Sequence, residues 1–318
     1  MRLPFFGSKK PGGPIRLPLP ESLAVSYLVY FRSQRTEPPT PEQLIPVLSG
    51  WIERHVEDPL RSPLLEFCNR GLLQLAVGPR DMMPEPPREL LESWRPGELE
   101  ERRFLEATHV VAIISDDLLR PPRLGLWLAL AAARALSEAS GGVALDPEFP
   151  RLLRLDDNQR DLPANGRIHI GDHILVPQSV GDKGLLWTTT KGMGKFGLPE
   201  LEICDAPPNL NTPIGYLING AAQRLVRQSL EQALEAGEKE PGELTLEPIL
   251  RVRLEDVVAA RTEELPVPPE EGARGWVDVG LEYRRGRRDE DSFLRLTPPP
   301  GTREKPGVWW STAISEMF

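Results

Sequence analysis

Apolar runs with the length of β-strands recur along the first half of the chain, separated by polar and proline-rich stretches. The runs at 23–31 (LAVSYLVYF) and 108–115 (THVVAIIS) are almost continuously apolar, and shorter ones lie at 71–77 (GLLQLAV) and 143–145. Short, uninterrupted apolar runs rich in β-formers are typical of buried strands. The pattern therefore predicts a strand at each of these positions.

Two segments between these runs have the apolar spacing of helices. In 41–56 the apolar positions recur at steps of three and four, and Thr40, Pro41 and Gln43 supply the start signal of a capping box with proline at the first helical position. Residues 124–139 are apolar almost all round, which predicts a buried helix. The resulting order is strand, helix, strand, strand, helix, strand. This order predicts an α+β fold whose first half is ferredoxin-like (βαββαβ).

The next segment predicts further strands followed by a long helix. Strands are expected at 167–176, 185–190 and 198–203. From 213 to 236 one apolar face recurs at helical spacing, behind an Asn-Thr-Pro start signal and before a glycine stop. We interpret 147–236 as an extension of the ferredoxin-like half at 21–146, so that 21–236 forms one α+β domain.

The two ends of the chain differ from this domain. Residues 1–20 contain five prolines and three glycines, which predicts a disordered tail. The stretch 237–242 (GEKEPG) predicts a linker, and alternation at 277–283 followed by an apolar run at 293–296 predicts a hairpin. We therefore expect a small, mostly β module at 243–318.

Composition narrows the function classes. The chain has 318 residues, a formal net charge of −9, 35 prolines, four histidines and two cysteines. Two cysteines exclude a disulfide scaffold and a cysteine-rich zinc module, and the acidic balance argues against a nucleic-acid partner. No apolar run reaches the ~20 residues that span a bilayer, and no signal peptide is evident. We expect a cytoplasmic protein without a membrane partner.

One short segment concentrates the residues that catalysis or metal binding needs. His169, Asp172 and His173 lie within five positions, and on an extended strand 169 and 173 would face the same side. A shared metal or a hydrolase-type site is the sharper hypothesis. Gly171 favours the alternative of polar residues beside a turn, so no metal is expected. Ser115, Asp116 and Asp117 are interpreted as caps of the turn that follows them.

The segment 192–197 (GMGKFG) matches the G-x-G-x-x-G pattern of dinucleotide-binding loops. The pattern requires a helix directly after the loop, and Pro199 leaves no room for one. We therefore interpret Gly192, Gly194 and Gly197 as a structural turn and expect no cofactor.

The block at 186–202 (LWTTTKGMGKFGLPELE), with Leu217-Ile218-Asn219 in the helix after it, is similar to a segment of uncharacterised bacterial domains of unknown function. These domains carry a T-x-G-M-x-x-F-G-x-x-E block, and the similarity extends over about residues 105–235. The resemblance implies an α+β fold and no established activity.

These observations favour a non-enzymatic protein-interaction or regulatory module. Trp309 and Trp310 near the end of the chain are candidates for a docking surface with a protein partner. The alternative is a hydrolase-type enzyme, with or without a metal, that uses His169, Asp172 and His173.

Overall fold

The structure is a computed structural model that describes residues 13–20, 22–33, 41–83, 86, 97–148, 151–153, 162, 167–181, 183–236, 242–261, 273–286 and 292–318. The strands in these ranges are β1 Ile15–Pro18, β2 Leu23–Phe31, β3 Leu73–Pro79, β4 His109–Asp117, β5 Val143–Asp146, β6 Arg151–Leu152, β7 Gln178–Val180, β8 Leu186–Thr189, β9 Glu200–Ala206, β10 Glu243–Leu246, β11 Ile249–Arg253, β12 Trp276–Arg284 and β13 Phe293–Thr297. The helices are α1 Pro41–His55, α2 Arg61–Asn69, α3 Glu98–Leu105, α4 Leu124–Ser140, α5 Asn211–Ala236, α6 Leu254–Ala259 and α7 Pro306–Met317.

A five-stranded sheet forms the first half and has the order β3-β4-β2-β5-β6. All of its pairs are antiparallel, with Tyr27 opposite Ile113 at its centre. Successive side chains of a strand point to opposite faces, so Tyr27 and Val29 join the large core with α4 while Tyr30 packs on Phe104 of α3. The α+β class is confirmed. The strand order is compatible with the βαββαβ prediction, and α3 is an additional helix between the second and third strands of that unit.

The second sheet joins two distant stretches of the chain. Its six strands have the order β11-β12-β13-β9-β8-β7. The β12–β13 hairpin is antiparallel, as predicted, and β13 pairs with β9 in parallel, with Leu294 opposite Leu201. The long helix predicted at 213–236 is confirmed as α5 and packs on this sheet. Within the described residues, no helix has both the length and the apolar composition needed to cross a bilayer.

The strand predicted at 167–176 is wrong. Residues 170–172 form a short 3-10 turn, because the backbone at 168–171 bonds to α5 and to the end of α6. Leu175 makes an isolated antiparallel bridge with Lys191. The side-chain amide of Gln223 on α5 accepts from the N–H of Ile170 at 2.9 Å and donates to the carbonyl of Ile168 at 2.9 Å. The N–H of Gly171 donates to the carbonyl of Ala260 at 2.8 Å.

The expected organisation of the chain ends also needs correction. Residues 15–18, inside the predicted tail at 1–20, form β1 and pair with β10, and Leu17 is buried. The predicted module at 243–318 supplies three strands, β11, β12 and β13, to a sheet whose other strands are β7, β8 and β9. The same segment also contains a helix, α7. Residues 1–12 and 237–241 lie outside the described residues. The six-stranded sheet therefore contains strands from both sides of the boundary expected near 237–242.

Candidate functional site

The glycine segment at 192–197 forms a turn that is stabilised by the carboxylate of Glu200. Gly192 has φ +112° and Gly197 φ +68°, values that glycine adopts without strain. The carboxylate of Glu200 accepts hydrogen bonds from the N–H of Gly192 at 2.8 Å, the N–H of Met193 at 3.2 Å and the hydroxyl of Thr190 at 2.6 Å. Backbone N–H groups of this kind cradle phosphate in nucleotide loops. Here two of them already bind a side chain.

Two buried ion pairs tie this turn to the first sheet. The ammonium of Lys195 pairs with the carboxylate of Asp146 at the end of β5. The Arg123 guanidinium donates from Nη2 to the carbonyl of Lys195 at 2.7 Å and from Nε to the carboxylate of Asp117 at 2.6 Å. Burial lowers the pKa of Lys195 and raises the pKa of Asp117, although the attraction within each pair opposes both changes. The turn that contains Gly192, Gly194 and Gly197 therefore connects the second sheet to the first.

Asp117 also binds the helix that follows it. From the sequence, Ser115, Asp116 and Asp117 are expected to cap the following turn, whereas the buried hydroxyl of Ser115 makes no hydrogen bond with the described residues. The carboxylate Oδ1 of Asp117 accepts from the N–H of Gly125 in the first turn of α4 at 3.1 Å. A carboxylate at this end of a helix satisfies an otherwise unpaired donor and complements the helix dipole.

The structure places His169, Asp172 and His173 in different surroundings. The Nδ1 of His169 donates to the carbonyl of Ala259 at 2.9 Å. His173 is buried, with its ring 5.8 Å from that of Trp127 and 5.8 Å from that of Phe196. Within the described part of the chain, no three His, Cys, Asp or Glu side chains form a group that could hold a metal ion. Burial lowers the pKa of His173 well below its ordinary value, and the charges of Lys195 and Arg151 lower it further.

The tryptophan pair does not form the docking surface that the sequence suggests. Trp310 is completely buried in the main core and Trp309 is partly buried against it. The helical period of α7 places Trp310, Ala313, Ile314 and Met317 on one inward face. A side chain without exposed surface cannot contact a partner, so Trp310 stabilises the fold instead.

A groove of about 990 Å³ lies between α5 and α6. Val226, Leu230 and Leu234 line it from α5 at four-residue steps, and Leu254 and Val258 line it from α6. Side chains four apart on a helix lie on one face, so each wall presents an apolar stripe. Leu234 is 61% exposed and Val258 is 52% exposed. This volume is at the upper end of the range found for ligand sites.

The floor of the groove comes from two segments that the fold brings together. One is Pro121-Pro122-Arg123 before α4, and the other is Arg167-Ile168-His169, which Gln223 holds in place. His169 lines the groove, whereas Asp172 and His173 do not. The three residues of the hydrolase hypothesis are therefore not brought together on this surface.

Arg123 is the unusual residue of this floor. It is 2% exposed and has φ +59°, a left-handed conformation that costs a non-glycine residue free energy. Its guanidinium carbon lies 5.5 Å from the ring centre of Phe196. Its Nη1 is buried and makes no hydrogen bond with any part of the chain that the structure describes.

The charged residues that line the groove are mostly basic. Four arginines, at 123, 167, 227 and 261, stand against two glutamates, at 231 and 255. Arg227 donates to the buried carboxylate of Asp256 at 2.6 Å beneath the wall. Arg123 is likewise paired, with the buried carboxylate of Asp117 at 2.6 Å.

Sequence reasoning did not single out this groove. The apolar spacing of Leu230 and Leu234 on α5 was visible, but the same spacing is typical of a buried face. Arg123 carried no signal beyond its place after two prolines, because its burial depends on Phe196 and Lys195 far along the chain.

Comparisons of this chain with family models, with curated proteins and with solved structures give no match, so its own geometry carries the functional argument.

Proposed function

We propose that this chain is a non-enzymatic protein-interaction module that binds a segment of a partner protein in the groove between α5 and α6. The observation that carries the proposal is the pair of apolar stripes on facing helices, with Leu234 and Val258 more than half exposed. Apolar surface that stays in contact with water raises the free energy of the chain, and a partner that covers it recovers this free energy. Regulation by such a partner in the cytoplasm is part of the proposal.

The form of the groove supports a peptide segment as its occupant. Grooves between helices bind partner segments through apolar side chains at regular steps. Leu230 and Leu234 are one helical turn apart, about 6 Å. An apolar side chain of the partner fits between them. The hydrolase alternative needs Asp172 and His173 beside His169, and the groove contains only His169 of the three.

The test selects peptides on the full chain from a phage-displayed library of random 12-residue peptides. The variant with Leu234→Glu and Val258→Glu places two charges on the apolar walls at exposed positions, where they leave the core unchanged. Leu105→Glu is the matched control, because Leu105 is 60% exposed on α3 and does not line the groove.

We expect enriched peptides to bind the wild-type chain and the Leu105→Glu control equally, and the double variant at least about tenfold more weakly, which corresponds to the loss of one buried apolar side chain. The readout is fluorescence anisotropy of the synthetic peptides. Enrichment of no peptide, or equal binding to the double variant, refutes the proposal.

A further inference from the structure

We infer that two copies of this chain associate through β3, the edge strand of the first sheet, so that their two five-stranded sheets become one continuous sheet. The strand pairs with β4 on one side and ends the order β3-β4-β2-β5-β6. A two-fold axis at Leu75 relates the copies, and β3 of each runs antiparallel to β3 of the other. The inference is independent of the groove, because no residue of β3 lines it.

The register of the first sheet determines which backbone groups of β3 point away from it. The N–H of Arg80 donates to the carbonyl of Thr108 at 3.0 Å, in line with the β3–β4 register. Backbone groups of successive residues in an antiparallel strand point alternately to one neighbouring strand and to the other. The even positions of β3 are therefore bonded to β4, and the outward residues are Leu73, Leu75 and Val77. On that side, no backbone hydrogen bond joins these three to any described residue.

This edge lacks the features with which proteins prevent strands from pairing. Edge strands are usually very short, charged or covered, whereas β3 has the sequence Leu-Gln-Leu-Ala-Val-Gly-Pro, without a charged side chain. At the other sheet edges, β6 has two residues, β7 has three, and β11 carries Arg251 and Arg253. Among the edge strands of the two large sheets that the structure describes, only β3 is both long and uncharged.

A two-fold axis at Leu75 pairs all of the outward residues with one another. Leu75 lies opposite its own copy, and Leu73 lies opposite Val77 of the second copy. In antiparallel pairs of this kind both residues donate an N–H and accept at the carbonyl. Pro79 has no N–H and falls outside the three pairs in this register. An axis at Val77 would place Pro79 opposite Leu75 and lose its donor, so the axis at Leu75 is favoured. Two-fold dimers of this self-complementary type are the commonest oligomers.

The side chains on both faces of the strand suit this pairing. Leu73, Leu75 and Val77 are partly buried against the large core, so the axis continues this apolar face from one copy into the other. On the opposite face, Gln74 and Ala76 are exposed. Gln74 of one copy lies opposite Ala76 of the second copy, which brings no like charges together.

Two exposed apolar side chains meet at each end of the strand pair. Leu72 directly precedes β3, is 38% exposed and lies opposite Gly78 of the second copy in this register. Met82 is 65% exposed and packs on Gly78, where a Cβ would collide with its sulfur atom. The axis therefore brings Leu72 of each copy to Met82 of the other. Association removes apolar surface from water at both ends.

The test measures the mass of the full chain in solution by size-exclusion chromatography with light scattering. We expect the wild-type chain to have twice the mass of one copy, which is 35.5 kDa. The variant with Gln74→Lys and Ala76→Lys places like charges directly opposite each other across the axis, which destabilises the pair of strands. Both positions are exposed, so the change leaves the core intact. We expect this variant to have the mass of one copy.

The matched control combines Gln74→Lys with Ala76→Glu. It adds charges at the same two positions, but each new charge lies opposite one of the other sign in the second copy. We expect the control to remain a dimer. Near-ultraviolet circular dichroism checks that each variant is folded.

Three outcomes overturn the inference. One is a wild-type chain with the mass of a single copy at about 100 μM, where a Kd of about 10 μM already gives mostly dimer. The second is a dimer that persists in the double-lysine variant, because another surface then joins the copies. The third is loss of the dimer in the Lys/Glu control, because the register is then different. Each of them leaves the proposed function of the groove standing.

A disulfide across the axis provides a second measurement that does not depend on the lysine variant. Gln74 and Ala76 of the second copy form a non-hydrogen-bonded pair, in which the Cα atoms lie about 4.5 Å apart and are close enough for a disulfide. An oxidised mixture of the Gln74→Cys and Ala76→Cys chains should contain a covalent dimer that neither chain gives alone. If the mixture gives no such dimer, the inference is wrong even where the double-lysine variant does not fold.

Discussion

Charged side chains accumulate where the first sheet meets the turn at 192–197. Asp117, Arg123, Asp146 and Lys195 form two ion pairs there, and His173 lies beside them. Taking charges out of water is costly, and an ion pair repays this cost only with good geometry. Such pairs therefore specify how the sheets join more than they add to the free energy of folding. Burial and the nearby cations disfavour the charged form of His173 in the folded chain.

The stability of the folded chain should fall as pH decreases below about 6.5, the ordinary pKa of histidine. Burial and the nearby cations lower the pKa of His173 in the folded state. Between its folded and unfolded pKa values the unfolded chain binds a proton that the folded chain does not, so the free energy of unfolding falls with pH by up to about 1.4 kcal/mol per unit. We expect His173→Gln to remove this contribution. Urea unfolding at pH 7.5 and 5.5 measures it.

His109→Gln is the control for this change, because His109 bonds to Thr108 at the start of β4 and its substitution leaves His173 in place. The control should keep the wild-type pH dependence. A His173→Gln chain with the same dependence as the wild type would contradict the explanation.

The helices of the groove are held at close distance by particular residues. On α5, a Cβ at Gly220 would lie 2.6 Å from Cγ2 of Val257 and 3.2 Å from its backbone N on α6. Only glycine permits this approach. The short helix α6 is fixed by Asp256, whose carboxylate accepts from the N–H of Arg253 at 2.9 Å and from Arg227 at 2.6 Å. The spacing of the groove walls is thus set by Gly220 and Asp256.

Gly220→Ala should destabilise the chain by about 1–3 kcal/mol, because the added methyl overpacks the contact between α5 and α6. Gly50→Ala is the matched change in another helix, α1, where a Cβ would meet only Nη1 of Arg54 at 3.5 Å. It should stabilise by about 0.5–1 kcal/mol, since alanine restricts the unfolded chain. Thermal and urea unfolding of both variants measures the opposite signs. Equal effects at the two positions would show that helix propensity, not packing, decides.

At the scale of the whole molecule, one core connects both sheets. Among the described residues, the larger of the two clusters of buried apolar residues extends from Leu17 on β1 to Met317 on α7. The parallel pair of β9 and β13 crosses the boundary that the sequence suggests near 237–242. The two parts of the chain therefore share both hydrogen bonds and apolar contacts.

A chain that ends at residue 236 should fail to fold independently. It lacks β13, so β9 loses a strand partner, and it lacks α7, which covers part of the same core. We expect this fragment to be insoluble or to unfold without a cooperative transition, whereas the full chain unfolds in one transition. A full chain cleaved at a protease site placed within 237–241 is the control and should elute as one species. A soluble fragment with cooperative unfolding would restore the division into separate domains.

Local signals were sufficient for many elements of the fold. The apolar runs predicted β2, β4 and β5, helical spacing predicted α1, α4 and α5, and alternation predicted the β12–β13 hairpin. The failures depend on distant partners. Residues 167–176 match a strand pattern, but Gln223 on α5 takes the place of a neighbouring strand.

The sequence predicted less of the candidate site than of the fold. The groove exists only after α5 and α6 pack, and Arg123 becomes buried only when the turn at 192–197 covers it. A capping role near Asp117 was expected from its neighbours in sequence, but its bond to the first turn of α4 was not.

During synthesis on the ribosome, the two strands of the parallel pair β9–β13 are made far apart in time. All strands of the first sheet have been made by Leu152, whereas β9 is complete at Ala206 and its partner begins only at Phe293. At about 5–20 residues per second, several seconds separate the two. During that interval β9 offers Leu201 and Ile203, both fully buried in the finished protein, at an open sheet edge. The nascent chain is thus most prone to aggregate after β9 has been made and before β13 pairs with it.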